Sequence, residues 1–337
     1  MRAAKCDGTG TSSIVIEEGL DVPTPGEGEV LLHVRASGLN RIDVYMAKGM
    51  FGKIDTLGME VAGVVVRRGP KCEGSFVSGS RAMALLSDGG HAEYIVVDEK
   101  MLMPIPDKMA FESAAAIPEQ WMTAFQLLRL VGEVQAGDNV LIHAGGSGVG
   151  CAAVQLARAF GATPFVTAGT KEKIDNAIKL GAKGGFNYKT EDWGENVLAA
   201  TDGKGVDVIL DCVGGTHAPS NAKAIALDGR WVLFGLMGGR NAPGDAGLLG
   251  TLLRKRASIR GTTLRTRSRS YKRELTHRFV QEVLPLLKKG SVRVVVDSTF
   301  PLKRVNDAYD RLLQNKNIGK IVLAVSQQEE EEVVATK

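Results

Sequence analysis

The sequence predicts an α/β protein of two domains, one β-rich and one built on a doubly wound parallel sheet. Three observations predict it. The first hundred residues are short β-branched runs separated by Gly, Pro and Asp turns. From residue 138 to about 264, strand-like and helix-like runs alternate, the pattern of parallel strands with crossover helices. At the head of that alternation stands "VLIHAGGSGVG", residues 140–150, with glycines at 145, 146, 148 and 150 between a hydrophobic run and the start of a helix.

The bulk numbers agree with this class. A chain of 337 residues is long enough for two cores, and 44% hydrophobic with 24% charged residues describes an ordinary globular composition. A net charge of +4 is too small to imply a nucleic-acid or membrane partner by itself. Cys6, Cys72, Cys151 and Cys212 lie far apart and unpaired in spacing, so plain thiols in a reducing compartment are expected. The first ten residues carry no apolar leader and no run of eighteen apolar residues occurs, which makes the cytoplasm the expected location.

In chain order, "EVLLHVRASGL", "MEVAGVVVRRG", "SRAMALL" and "AEYIVVD" are read as strands of a small barrel or sandwich. "AFESAAAIPEQWMTAFQLLRLVG" has helical spacing broken at Pro118, which ends one helix and begins another. Then come "NVLIHA" and a helix over 148–160, "TPFVTAG" and a helix over 171–181, and "GGFNY" and a helix over 191–201. "VDVILDCVG" with a helix over 217–227, "WVLFGLMG" and "ASIRGTTL" complete six strands. A helix over about 270–289, the strand "VRVVVDSTFPL", a helix over 303–315 and the strand "GKIVLAVS" return to the first domain, because the parallel sheet is already complete. The tail "QQEEEEVVATK" is acidic and aperiodic and is expected to be disordered.

The glycine loop opens the first strand–helix crossover. In that position the amides of Gly146, Ser147, Gly148 and Val149 would hold the diphosphate of a dinucleotide, favoured by free N–H groups and the helix dipole. The alternative is a glycine turn needed only for strand–helix packing. An NAD site carries an Asp or Glu about twenty residues further on to accept from the ribose 2′-hydroxyl. Here the region reads "VTAGTKEKID", with Thr167, Gly169, Thr170, Lys171 and Lys173 before any suitable acid. Lysines there would pair with a 2′-phosphate, so NADPH is expected and not NADH; a solvated helix face is the other reading of Lys171 and Lys173, and Glu172 is expected to point elsewhere.

Other chemistries find no footing. His33, His91, His143, His217 and His277 are scattered without a ligand partner at metal-site spacing. No G-x-S-x-G nucleophile turn and no Y-x-x-x-K pair is present. The segment "RKRASIRGTTLRTRSRSYKR" (254–273) is strongly basic, but it lacks interleaved aromatics and is interrupted by a strand, which favours a solvated surface over nucleic-acid binding.

The runs "PGEGEVLLHV", "LNRIDVY", "MALLSDGGHAEY", "MLMPIPDKM", "AAAIPEQWMTAFQLL", "VQAGDNVLIHAGGSGVG", "GFNYK", "LDGRWVLFGLMGG" and "NKNIGKIVL" resemble the medium-chain dehydrogenase/reductase superfamily. Within it the chain is most similar to the zinc-free quinone oxidoreductases of the p53-inducible type. The resemblance implies a GroES-like catalytic domain over 1–119, a Rossmann NADP-binding domain over 120–264 and a return to the catalytic domain over 265–326, leaving 327–337 as the tail. It places Asn40 and Met59-Glu60 where zinc-bearing relatives have a cysteine and a His-Glu pair, so no zinc site is expected.

The same resemblance assigns roles to particular residues. Asn40 and Thr123 would lie at the nicotinamide end of the cofactor, and Lys173 and Tyr188 would hold the 2′-phosphate. The backbone of Phe234, Gly235, Leu236 and Met237 would flank the nicotinamide, with Leu264 and Lys320 as further cofactor contacts. Phe51 stands where the p53-inducible type has a tyrosine over the substrate pocket.

From these roles follows an expected zinc-independent hydride transfer from NADPH to a quinone, in a pocket between the domains lined by Tyr45, Phe51 and Met237. Asn40 would stabilise the developing oxyanion, and Asp43 would order Asn40 or have a structural role only. An enal or enoyl reductase, and a non-catalytic NADPH-binding sensor, are the alternatives. The family also implies a homodimer with "ASIRGTTL" at the interface.

Overall fold

The computed structural model describes residues 1–242 and 247–326; the tail expected over 327–337 lies outside them. The chain divides into two compact units, Met1–Met122 with Arg269–Lys288 and the chain from Arg293 onward, and Thr123–Ser268 with Lys289–Val292.

The first unit begins with β1 (Ala3–Lys5) and β2 (Val15–Glu17), an antiparallel pair. Next come β3 (Glu29–Gly38), α1 (Arg41–Ala47), β4 (Glu60–Arg68), β5 (Arg81–Leu85), β6 (Tyr94–Asp98) and β7 (Leu102–Pro104). The long strand β3 is the spine: its first half pairs with β6 and its last three residues with a strand from the far end of the chain. Gly63 on β4 is required there, since a Cβ would stand 2.1 Å from the His33 carbonyl oxygen across a register shift. After β7 come α2 (Phe111–Ala115) and α3 (Pro118–Phe125). Pro118 starts the second helix, where its missing N–H costs no intrahelical bond. The helical spacing then continues as one π-helical stretch, Gln126–Val131, a widening that spacing alone did not reveal.

The second unit holds β8 (Asn139–Ile142), α4 (Gly148–Ala159), β9 (Thr163–Ala168), α5 (Lys171–Lys179), β10 (Gly184–Asn187) and α6 (Trp193–Ala200). It continues with β11 (Val206–Asp211), α7 (Ala218–Ala224), β12 (Ile225–Leu233), α8 (Leu248–Lys255) and β13 (Ser258–Gly261). All six strands are parallel, in the order β10-β9-β8-β11-β12-β13. That is the doubly wound order, with the reversal beside β8, where such folds bind dinucleotides at the strand ends. The core is an apolar layer around Phe165, Trp193, Val197, Ile209 and Trp231.

Three expected boundaries move. The helix expected over 217–227 stops at Ala224 and the strand starts at Ile225, six residues before "WVLFGLMG". Asp228 then takes a positive φ of 59° within β12, beside a register shift against β11. The helix expected over 270–289 is two, α9 (Arg269–Glu282) and α10 (Leu284–Lys288), because Pro285 lacks the N–H that would continue one ladder. The strand expected over "VRVVVDSTFPL" is shorter, β14 (Val296–Pro301). The first unit closes with α11 (Val305–Leu313) and β15 (Lys320–Ala324), which lies between β14 and β3.

Candidate functional site

In the second unit, β8 runs into the loop 143–147, and Ser147 caps α4 by accepting from the Gly150 amide at 3.0 Å. The four glycines differ in purpose. Gly150 is needed for closure, since a Cβ would stand 2.4 Å from the Ala144 carbonyl oxygen, and Gly145 because one would stand 2.6 Å from Val166. The Ser147 amide donates to the Ala144 carbonyl at 2.8 Å, so this one of the four expected diphosphate donors is engaged by the protein. Among the described residues the amides of Gly146, Gly148 and Val149 have no such acceptor. They gather at the start of a twelve-residue helix, a geometry that favours an anion.

The next strand end, β9 into α5, lies beside the glycine loop. Thr170 caps α5, and the Lys173 stem lies over the glycine loop: a Cβ on Gly146 would stand 2.7 Å from its Cγ. Tyr188 follows β10 and brings its phenol oxygen to 2.7 Å from where a Cβ of Gly169 would be. Gly146, Gly169, Thr170, Lys173 and Tyr188 are therefore together. The Lys171 ammonium pairs with Asp175 one turn along its own helix, at 2.6 Å, the arrangement of the solvated helix face that was its other reading. Glu172 is exposed. A lysine and a phenol beside the strand end, with no carboxylate in the acid's place, fit a nucleotide bearing a 2′-phosphate.

The ends of β11 and β12 form the other part of this face. Asp211, fully buried, accepts from the Val213 and Gly214 amides at 2.7 and 2.9 Å, from Asn221 at 3.0 Å and from the Trp231 indole at 2.9 Å. It thereby fixes the loop after β11. Phe234 and Met237 donate their amides to Asp211 and Cys212, and Gly235 must be glycine because a Cβ would stand 2.8 Å from the Cys212 carbonyl. Leu236 and Met237 are about half exposed beyond it, whereas Thr123 and Leu264 are buried. His143 is structural. Asn221 donates to Asp211, so its carbonyl accepts from His143 Nε2–H at 2.8 Å, and the remaining Nδ1 accepts from the Thr167 hydroxyl at 2.7 Å. Burial pushes the His143 imidazole below its ordinary pKa and His217 down to about 4.

The first unit buries a second polar cluster. Asn40 precedes α1; its side-chain amide donates to Glu60 Oε1 at 2.9 Å, and its carbonyl accepts from the Lys320 ammonium. Lys320 also pairs with Glu60, and Glu119 Oε2 is 3.8 Å away. Glu60 Oε2 accepts from the Glu119 amide at 2.8 Å. In this structure Lys320 is thus committed to Asn40 and Glu60. Asp43 accepts from the Asn40 backbone N–H at 2.7 Å, and burial drives its carboxyl up to about 7. Beside it Ser37 donates to the Glu60 carbonyl, so His91 Nδ1–H donates to Ser37 and Nε2 accepts from the Tyr309 hydroxyl at 2.8 Å. Burial holds the His91 pKa down at about 3 and raises that of Tyr309.

Spacing had not singled out Glu60 as a hydrogen-bonding partner, nor Asp211, Glu119, His91 or Tyr309. Only an acid at a strand end before glycines hinted at Asp211. Tyr45, Met50 and Phe51, on and just after α1, are each exposed. Among the described residues no three His, Cys, Asp or Glu side chains gather as a metal-binding group, and no helix is long and apolar enough to cross a membrane.

The basic segment is absorbed by the protein. Lys255 donates to the carbonyls of Ala222, Lys223 and Ile225, Arg256 pairs with Asp228, Arg260 with Glu133, and Arg273 with Asp98.

Residues 26–107 match the alcohol dehydrogenase GroES-like domain family and 148–281 the zinc-binding dehydrogenase family. A crystal structure of an NAD-dependent alcohol dehydrogenase is 30% identical, with a TM-score of 0.85 over 97% of this chain and 100% of the other. The chain belongs to the medium-chain dehydrogenase/reductase superfamily. Within that superfamily it is 28% identical to a quinone oxidoreductase of Homo sapiens, over 96% of this chain and 97% of the relative. It is also 34% identical to a phenolphthiocerol synthesis polyketide synthase of Mycobacterium marinum, of whose length it spans 15%. Superfamily structures of similar shape include a mycobacterial protein solved with NADPH (27% identity, TM-score 0.86, 96% and 100% covered) and CurK enoyl reductase (26%, 0.85, 96% and 99%). The GroES-like first domain and the Rossmann sheet of this superfamily are the two architectures described above.

Proposed function

We propose that the protein is a zinc-independent, NADPH-dependent quinone reductase of the p53-inducible type. The observation that carries the coenzyme is at Gly169, where a phenol and a lysine stem stand in place of the ribose-reading acid. The likeness to quinone oxidoreductases over nearly their whole length supports the acceptor. NADPH supplies a hydride when bound. The amides of Gly146, Gly148 and Val149 bind its diphosphate, Lys173 and Tyr188 its 2′-phosphate, and the segment from Phe234 to Met237, with Thr123 and Leu264, the rest.

Tyr45, Met50 and Phe51 offer a flat acceptor an apolar surface. The quinone gains the hydride and takes one proton from water, leaving hydroquinone and oxidised coenzyme. Asn40 donates one amide hydrogen to Glu60 and keeps the second for the developing oxyanion. Glu60 and Lys320 hold that amide in place, and Asp43 holds the backbone before α1.

Similarity to CurK enoyl reductase and to polyketide synthases favours a second reading, reduction of an enoyl or enal double bond. That reaction requires a proton donor at carbon, and Phe51 provides none. Free thiols at Cys6, Cys72, Cys151 and Cys212 support a cytoplasmic location. To test the proposal, the protein is titrated with NADPH and NADH, then given 9,10-phenanthrenequinone while nicotinamide absorbance is followed. Tighter NADPH binding and quinone-dependent oxidation are expected. Oxidation only with 2-alkenals or enoyl thioesters selects the second reading, and binding without oxidation by any acceptor selects a nucleotide sensor.

A further inference from the structure

Gly169 ends β9 at the place where a ribose-reading carboxylate would stand. A Cβ there would lie 2.7 Å from the Tyr188 phenol oxygen and 3.0 Å from Lys189 Cε. The space of the missing side chain is therefore filled by a phenol and by the stem of a second lysine. The turn after β10 holds both. Asn187 Oδ1 accepts from the Lys189 amide at 3.0 Å, and the Tyr188 amide reaches the Ala168 carbonyl at 3.3 Å. Neighbouring acids are occupied: Asp175 pairs with Lys171, and Glu191 accepts from the Asn187 amide and the Asn196 side chain. Among the described residues Lys189 has no carboxylate partner, and it is exposed.

We propose that Lys189 is a specificity-determining residue, a second cation that pairs with the coenzyme's 2′-phosphate opposite Lys173. With Tyr188 it also occupies the place of the acid, so preference for NADPH rests on occupancy as well as on charge. This rests on the NADPH reading above, and it adds a residue that the resemblance did not supply.

The test separates the two claims. Adenosine 2′,5′-bisphosphate and 5′-AMP are titrated calorimetrically into the wild-type protein and into K189A, K189R, K173A and K171A. K189A should weaken the bisphosphate about tenfold and leave 5′-AMP unchanged. K189R should retain most of the affinity, and K171A, whose charge faces Asp175, should behave as wild type. Loss of discrimination only in K173A, with K189A at wild-type affinity, removes Lys189 from the site while the NADPH reading stands. Equal losses for both probes in K189A also overturn the proposal. A wild-type protein that binds both probes alike removes the 2′-phosphate reading and Lys189's role with it.

Discussion

The carboxamide of Asn40 has one permitted orientation. A lysine ammonium only donates and an ionised glutamate only accepts, so Lys320 and Glu60 fix which end is oxygen and which is nitrogen. Close by, Asp43 and His91 set opposite pH dependences. Asp43 has a folded pKa of about 7, above its ordinary 3.8, so the stability it confers is present below the unfolded value and lost as pH rises towards 7. His91 is held down at about 3 from 6.5, so its contribution is present above 6.5 and lost as pH falls towards 3. Each slope is about 1.4 kcal/mol per pH unit, and between about pH 4 and 6.5 they offset. Asp43→Asn keeps an acceptor for the Asn40 amide and removes one slope. Its melting temperature should climb more steeply than that of wild type from pH 4 to 6.5; parallel curves would show that Asp43 ionises normally. In the other unit, Lys173→Ala should weaken NADPH by about one to two decades and leave NADH nearly unchanged in a fluorescence titration. An equal loss for both coenzymes would place Lys173 away from the 2′-phosphate.

At the scale of elements, the strand–loop–helix β8 to α4 depends on Gly150 for closure. Alanine there would gain about 1 kcal/mol in helix propensity, yet its Cβ meets a backbone carbonyl at 2.4 Å, which cannot swing aside as a side-chain tip can. Gly150→Ala should therefore lower stability by about 1–3 kcal/mol in urea unfolding and weaken NADPH binding as the three open amides shift. Unchanged stability would mean that the loop relaxes freely. Most elements were legible because their periods are strong: β3 and β4 as β-branched runs, the break at Pro118, the six alternating strands. The start of β12 was not, because "IALDGRWVL" carries an Asp-Gly pair that reads as a turn, and here it sits in a register shift between Ile225 and Arg230, both paired with β11. In the candidate site, the glycine loop and Lys173 follow from local spacing. The partners of Asn40 lie 20 and 280 residues away, and Asp211 is satisfied from four directions, so only tertiary contacts reveal them.

For the whole molecule, the edge of the parallel sheet carries the consequence. Among the described residues β13 has no strand on its outer side, Ile259 on it is partly exposed, and on the preceding helix Leu249 and Leu253 are 78% and 80% exposed. We propose that this surface docks a second copy of the chain, in the homodimer that the resemblance implies. Sedimentation should give twice the 35.9 kDa of one chain, and Leu253→Glu should shift the protein towards half that value. A monomeric wild type would leave these leucines to another partner.

The first unit is assembled from both ends of the chain: β15 reaches β3, and Lys320 reaches Glu60. During translation this inverts the usual order, in which the earlier-made domain folds first. The residues of the second unit leave the ribosome complete and can close their sheet while the earlier-made first unit still waits, its β3 edge open and its buried glutamate without a counter-ion. A synthesis that halts shortly before β15 would release a chain with one finished half and one exposed, charged and unpaired half, the kind of nascent product that chaperones must hold or proteases clear.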